Sequence, residues 1–371
     1  MPGKKGEKAM MIEQILTKNL PFAVYRLPGE TWPHYLVGTC PPHDFSLGAL
    51  DQQKGFVAAP FDSYKSRKAF LIEADLTAHL PAEKERIMQL LKSFPEKSPS
   101  FRDEENPITG KQEYIKQVKV LQQRMREEKI QKVVLSRVIE KPLPPNFDFD
   151  RFFHLLQESY PQAFVYLFYL PGQGLWAGAT PETFLGLQDD FLETMALAGT
   201  QKAPAGPWGE KEKEEQAFVE RFVEEQICLL GISAYDKSKV ETLLAGKVAH
   251  LCTRFRIPAD SLKGKAGRLA ALLHPTPAVC GLPKESAWQL IADTENHRRQ
   301  FYTGFLGPWQ TRQQSRLFVN LRCAAFTREK ISIYTGGGIT AASVPEKEWQ
   351  ETEDKSMTLL SVVEKMRNFA P

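Results

Sequence analysis

Thr183-Phe-Leu-Gly-Leu-Gln188, Asp189-Asp190 and Phe191-Leu-Glu-Thr-Met-Ala196 are two apolar, β-prone runs separated by an acidic pair, a pattern that reads as a β-hairpin. Upstream, the apolar run Ala163–Leu170 meets the turn Pro171–Gly174 and then a second run, Leu175–Ala179. Downstream, Arg316–Phe326 and Ile331–Thr335 read as another hairpin-like pair. Lys132–Glu140 is a β-branched strand that the prolines at 142, 144 and 145 end. Helical spacing marks Lys111–Glu128, with Ile115, Val118, Leu121 and Met125 on one stripe, and Phe149–Tyr160. Charged helices are expected over Gly209–Leu230 and from about Pro345, and a further helix over Trp288–Arg299. Strands that arrive in hairpins, rather than strictly between helices, predict an α+β fold with antiparallel sheets over a doubly wound parallel one.

The chain has 371 residues, and its 48 Lys+Arg against 45 Asp+Glu leave a net charge of +3. That balance argues against a nucleic-acid binder, which concentrates positive charge on one face. A hydrophobic fraction of 42% excludes an intrinsically disordered chain. Five scattered cysteines with no Cys-x-x-Cys argue against a disulfide scaffold or structural zinc, and for a reducing compartment. Glu13 interrupts the apolar stretch near the N-terminus, and no run approaches the ~18 apolar residues of a membrane span. A cytoplasmic protein without membrane or nucleic-acid partners is expected. The first ~90 residues carry short β-like runs (Ala23–Leu27, Ala69–Glu73) but no chemical motif. Lys92–Gly110, with three prolines and many charges, reads as a surface connection.

Several residues could carry chemistry. Lys132 opens an apolar strand, so it is either desolvated and available as a base or a strand-edge lysine in water. Glu182 follows Ala179-Thr180-Pro181 at a strand end, where burial would make it a general acid and exposure a mere turn residue. Glu212 and Glu215 share one helical face, as do Glu348, Glu351 and Lys355. Two such faces meeting at one cavity could hold a hard cation such as Mg2+, and apart they are solvated Glu–Lys faces. Arg322 lies in an apolar run and needs an anionic partner if buried. Gly336-Gly337-Gly338 could bring backbone N–H groups to an anion or simply form a turn. His250 and His274 lack neighbours at metal-ligand spacing, and no P-loop or nucleotide-binding glycine pattern is present.

The order of these signals resembles the chorismate-utilising enzymes. Lys132-Val-Val-Leu-Ser-Arg137, Gly178-Ala-Thr-Pro-Glu182 and Ala196-Leu-Ala-Gly-Thr200 are followed by His274-Pro-Thr-Pro-Ala-Val279 and by Glu295 with Arg299. Leu321-Arg-Cys-Ala324, Gly336–Ile339, Glu348-Trp-Gln-Glu-Thr352 and Lys355 complete the series. The resemblance implies one large domain of two stacked, mainly antiparallel sheets flanked by helices. Residues 111–371 would form the catalytic core, with 1–110 a motif-poor part of the same domain. It further implies Lys132 as base, Glu182 as acid, and Glu215 and Glu351 as Mg2+ ligands with Glu212 and Glu348 behind them. Arg322 and Lys355 would grip the substrate carboxylate, assisted by backbone of Gly199, Thr200, Ala278, Val279 and Gly336, with His250 near the pocket.

Within the family, a lysine at 132 is similar to the water-using members, because ammonia-using members receive their nucleophile from a glutaminase. Aminodeoxychorismate synthases carry lysine where this chain has Ala198. The expectation is therefore a monomeric Mg2+-dependent isochorismate synthase without a glutaminase subunit, feeding menaquinone or siderophore synthesis. Salicylate synthase, which goes on to eliminate pyruvate, and a non-catalytic chorismate-binding subunit are the alternatives. The chain departs from the family pattern at Gln216 (usually His), at Gly337 (usually Ala) and at Val344 (usually Asp).

Overall fold

Every residue of the Phe164–Leu170 strand is buried, and its two faces serve two different cores. Phe164, Tyr166, Phe168 and Leu170 pack in one apolar cluster, while Val165, Leu167 and Tyr169 pack in another. Period-two alternation explains the division, and apolar residues on both faces mean that both faces are covered. This computed structural model describes residues 10–102, 106–188, 190–245, 248–310 and 315–368.

The first sheet runs, in spatial order, Gly281–Leu282, Lys132–Pro142, Lys330–Ile339, Cys323–Phe326, Gly174–Thr180, Phe164–Leu170, Phe22–Arg26, His34–Val37 and Leu76–Ala78. The second runs Asp236–Lys237, Val248–Pro258, Phe191–Lys202, Thr183–Gln188, Ser315–Val319, Phe305–Trp309, Gly55–Ala59, Lys68–Glu73 and His43–Ser46, with Glu241–Ala245 pairing beside Val248–Pro258. Pairing is antiparallel throughout the described ladders, as the hairpins predict. Residues before Lys111 contribute three strands to each sheet.

The cluster between the sheets joins Tyr25, Phe164 and Trp176 of the first to Phe56, Leu306 and Phe318 of the second, with Phe164 stacked on Phe318 at 4.1 Å between ring centroids. The outer face of the first sheet is covered by Met11–Leu16, Pro81–Leu91, Phe149–Ser159 and Pro345–Asn368. The outer face of the second is covered by Glu210–Leu229 and Ala266–Leu273. Helix on sheet on sheet on helix is the layer solution that hides both faces of each sheet.

Four expectations are corrected. The run Arg316–Phe326 is not one strand. It splits into Ser315–Val319 in the second sheet and Cys323–Phe326 in the first, with Arg322 in the crossover at φ 50°. The helix expected over Trp288–Arg299 spans Lys284–Thr294, because Glu295 turns to extended backbone. The glycines 336–338 form no turn and lie inside the strand Lys330–Ile339, paired with Val134–Ser136. Lys92–Gly110 is more than a surface connection among its described residues, since Phe94 and Phe101 pack on the core and Asn106 and Thr109 are buried. Of the hairpin turn, Asp189 lies outside the described residues; Asp190 takes φ 63°.

Candidate active site

Two of the passages of the chain from one sheet to the other lie side by side. Pro181-Glu182 links Gly174–Thr180 to Thr183–Gln188, and Asn320–Arg322 links Ser315–Val319 to Cys323–Phe326. The Val319 amide donates to the Glu182 carbonyl at 3.0 Å, and the Ala179 amide donates to the Arg322 carbonyl at 3.2 Å. The Thr180 hydroxyl closes the seam by donating to the Val319 carbonyl at 2.6 Å. Glu182 and Arg322 thus enter one cleft from a rigid junction.

That cleft encloses about 1140 Å³ including its mouth, and it is lined by Lys132, Glu182, Glu212, Glu215, His250, Arg322, Glu348, Glu351 and Lys355. Gly199, Ala278, Val279 and Gly336 also line it. For Thr200 only the backbone, in the Phe191–Lys202 strand, is described. His274 is elsewhere: it is buried, and its Nε2 donates to the Phe61 carbonyl at 3.1 Å.

The two candidate proton-transfer groups are displaced in opposite directions. Glu182 is 4% exposed, and burial raises its carboxyl to about 7 against a smaller opposing pull from Lys132. Burial lowers the Lys132 ammonium below the usual lysine range, with Glu215 opposing and Lys355 reinforcing the shift. Lys132 is half-buried as a residue and lines the cleft. A reluctant anion beside a reluctant cation is the pattern of an acid–base pair.

The glycine run makes room for charge. A Cβ on Gly338 would stand 2.8 Å from Lys132 Cε, and one on Gly337 would stand 3.3 Å from Glu348 Oε2 and 3.7 Å from Glu351 Oε1. Gly199 has φ 62° at a break in the register between Ala198 and Gln201, so a bulge turns its backbone toward the cleft. His250 Nδ1 donates to the Gly199 carbonyl at 2.9 Å, which leaves Nε2 as the acceptor nitrogen. Burial lowers this imidazole to about 4 and keeps it neutral.

Lys355 Nζ donates to the Gly336 carbonyl at 2.9 Å and to Glu351 Oε1 at 2.5 Å. Burial pushes the Glu351 carboxyl up, but Lys355, Arg322 and Lys132 together hold it below the ordinary range. Glu212 and Glu215 on Glu210–Leu229 and Glu348 and Glu351 on Pro345–Asn368 supply oxygen donors only, which suit a hard divalent cation in kind. As these side chains stand, no three acidic, His or Cys groups among the described residues converge tightly enough to hold a metal. Gln216 does not reach the cleft. It is buried, and its Nε2 donates to the Ala196 carbonyl and to Thr253 Oγ1, which seats this helix on the second sheet.

Beneath the cleft, Glu295 and Arg299 form a fully buried pair. Arg299 also donates to the carbonyls of Val134 at 2.6 Å and Val279 at 2.9 Å, while Glu295 accepts from the Ser136 amide and hydroxyl. Two walls of the cleft are therefore tied to one ion pair. Tyr302, Thr303, Tyr334 and Thr335 also line the cleft and were not found from sequence. Tyr302 and Thr303 follow the Glu295/Arg299 motif and Tyr334 and Thr335 precede the glycine run, so adjacency to motifs was the available signal.

Residues 67–364 match the family model described as chorismate binding enzyme. The chain is 30% identical over 244 residues to the isochorismate synthase EntC of Escherichia coli K12, covering 63% of this chain and 62% of that one. It is 34% identical over 214 residues to the isochorismate synthase MenF of the same organism, covering 54% and 48%. An anthranilate synthase component 1 from Aquifex aeolicus is 28% identical over 72% of this chain and 56% of its own. The chain thus spans between about half and three fifths of the length of the relatives it matches. The solved structure of the menaquinone-specific isochorismate synthase MenF from Escherichia coli superimposes with a TM-score of 0.76 at 20% identity, over 98% of this chain and 93% of that one. That likeness shows a shared fold. No helix among the described residues is long and apolar enough to cross a membrane. With a family match across most of its length and the family's motifs gathered around one cleft, the chain belongs to the chorismate-binding enzymes.

Proposed function

We propose that the protein is an isochorismate synthase, an isomerase that adds water at C2 of chorismate as the C4 hydroxyl leaves. The observation that carries the reading is the pairing of a lysine with a lowered pKa and a glutamic acid with a raised one in a single cleft. Neutral Lys132 takes a proton from the attacking water, and protonated Glu182 gives one to the departing hydroxyl, so the site ends with one proton moved each way. Arg322 and Lys355 bind carboxylate, and neutral His250, anchored on the Gly199 carbonyl, forms part of the substrate wall. The Arg299 clamp on the Val134 and Val279 carbonyls keeps base and substrate wall in register.

Mg2+ belongs to the proposal: Glu215 and Glu351 would hold it, with Glu212 and Glu348 behind them, and its charge would neutralise a substrate carboxylate. The oxygen-only donor set that these two helices bring to one cleft supports this. A lysine where ammonia-using relatives have none supports water as the nucleophile. The test is incubation of purified protein with chorismate and Mg2+ and chromatography of the products. Isochorismate, lost on chelation, is expected. Salicylate with pyruvate, anthranilate on adding ammonium, or chorismate binding without turnover would each overturn the assignment.

A further inference from the structure

Arg137 has no part in the chemistry above, yet it is buried where the strand Lys132–Pro142 meets the helix Pro345–Asn368. Its Nε donates to Thr352 Oγ1 at 2.8 Å, its Nη2 pairs with Glu353, and its guanidinium lies 3.8 Å from the ring centroid of Trp349. Thr335, the cross-strand partner of Arg137, donates from Oγ1 to the Thr352 carbonyl at 2.9 Å. The Thr352 hydroxyl in turn donates to the Trp349 carbonyl, so both of its roles are used.

We propose that Arg137 is a positioning residue that sets the rotation of the Pro345–Asn368 helix and thereby the placement of Glu348, Glu351 and Lys355. At about 100° per residue, those three occupy one stripe of the helix and Trp349, Thr352 and Glu353 the adjoining one. Three contacts to one planar, rigid group fix the angle of the second stripe, and the first follows. A lysine cannot reproduce this, because its point charge lacks the fork that reaches Thr352 and Glu353 together while lying flat on indole.

The inference deepens the proposed function and rests on it for the identity of the ligands. The test measures Mg2+ and chorismate binding by calorimetry, and kcat and KM, for R137K, R137M and T352V. T352V removes one hydroxyl and keeps the variant set informative if R137M does not fold. About a tenfold loss of Mg2+ affinity is expected in R137M and T352V, the low end for groups that orient metal ligands indirectly, with R137K recovering part of it. KM for chorismate should rise with it, through Lys355. Folded variants with wild-type Mg2+ and chorismate affinity, differing only in melting temperature, would overturn the proposal. If the wild-type protein binds no Mg2+, the metal assignment fails by itself. Chorismate affinity then decides the role of Arg137, and unchanged affinity in R137K and T352V refutes it.

Discussion

The Ala179 amide donates to the Arg322 carbonyl at 3.2 Å, and this bond joins two of the places where the chain changes sheets. Glu182 lies three residues beyond Ala179, on the other side of the same seam. Proposed acid and proposed carboxylate anchor are therefore fixed to each other by backbone, whereas Lys132 and Lys355 arrive from a separate strand and helix.

Replacing Lys132 by alanine should cut kcat by about a hundredfold to ten-thousandfold, the usual contribution of a positioned base. Chorismate binding should be largely retained, since the amine acts mainly in the transition state. Single-turnover rates alongside calorimetric affinity make the comparison, and near-normal kcat would show that the base lies elsewhere.

Glu182 gives a signed pH dependence. As the acid it works protonated, so kcat should fall as pH rises through about 7. Its folded-state value lies above the ordinary 4.5, so folding favours the protonated form, and stability drains away between pH 4.5 and about 7. Glu182→Gln should match the wild type in stability at pH 4 and exceed it at pH 8 by up to about 3 kcal/mol, while losing activity. Urea unfolding at the two pH values checks the sign.

Two glycines should respond differently to the same added methyl group. In Gly338→Ala the new atom meets the flexible end of Lys132, so the fold should tolerate it while the amine is displaced and kcat drops. In Gly336→Ala it meets the Leu135 carbonyl at 2.8 Å and the Tyr302 hydroxyl at 2.9 Å. Backbone cannot yield there, and a loss of roughly 1–3 kcal/mol is expected. Thermal denaturation and kcat, measured on both variants, separate the two effects.

Arg299→Met leaves Glu295 buried with an uncompensated charge and should cost about 3–5 kcal/mol. The double variant Glu295→Met/Arg299→Met should be more stable than Arg299→Met alone, although the Val134 and Val279 carbonyls lose a donor in both. A double-mutant cycle by urea denaturation provides the measurement, and simple additivity would mean that the pair does not act as a unit.

Local pattern determined much of this protein. The hairpin around Asp189-Asp190, the strand opened by Lys132 and the helix stripes carrying Glu212 with Glu215 and Glu348 with Glu351 and Lys355 are all legible. They depend on periodicity and turn chemistry within a few residues. Only the tertiary structure decided that Ser315–Phe326 breaks at Asn320–Arg322: the residues on both sides are equally apolar, and the break exists because one half pairs with Thr183–Gln188 and the other with Gly174–Thr180. It likewise decided that the glycine run is a strand interior, because its meaning lies in the Lys132, Glu348 and Glu351 side chains packed over it. Glu295 leaves the helix to meet Ser136 and Arg299, a bond across 159 residues that no local pattern encodes. Burial decided the rest. A lysine and a glutamate are ordinary in any sequence, and their displaced proton affinities come from the two sheets that exclude water around them.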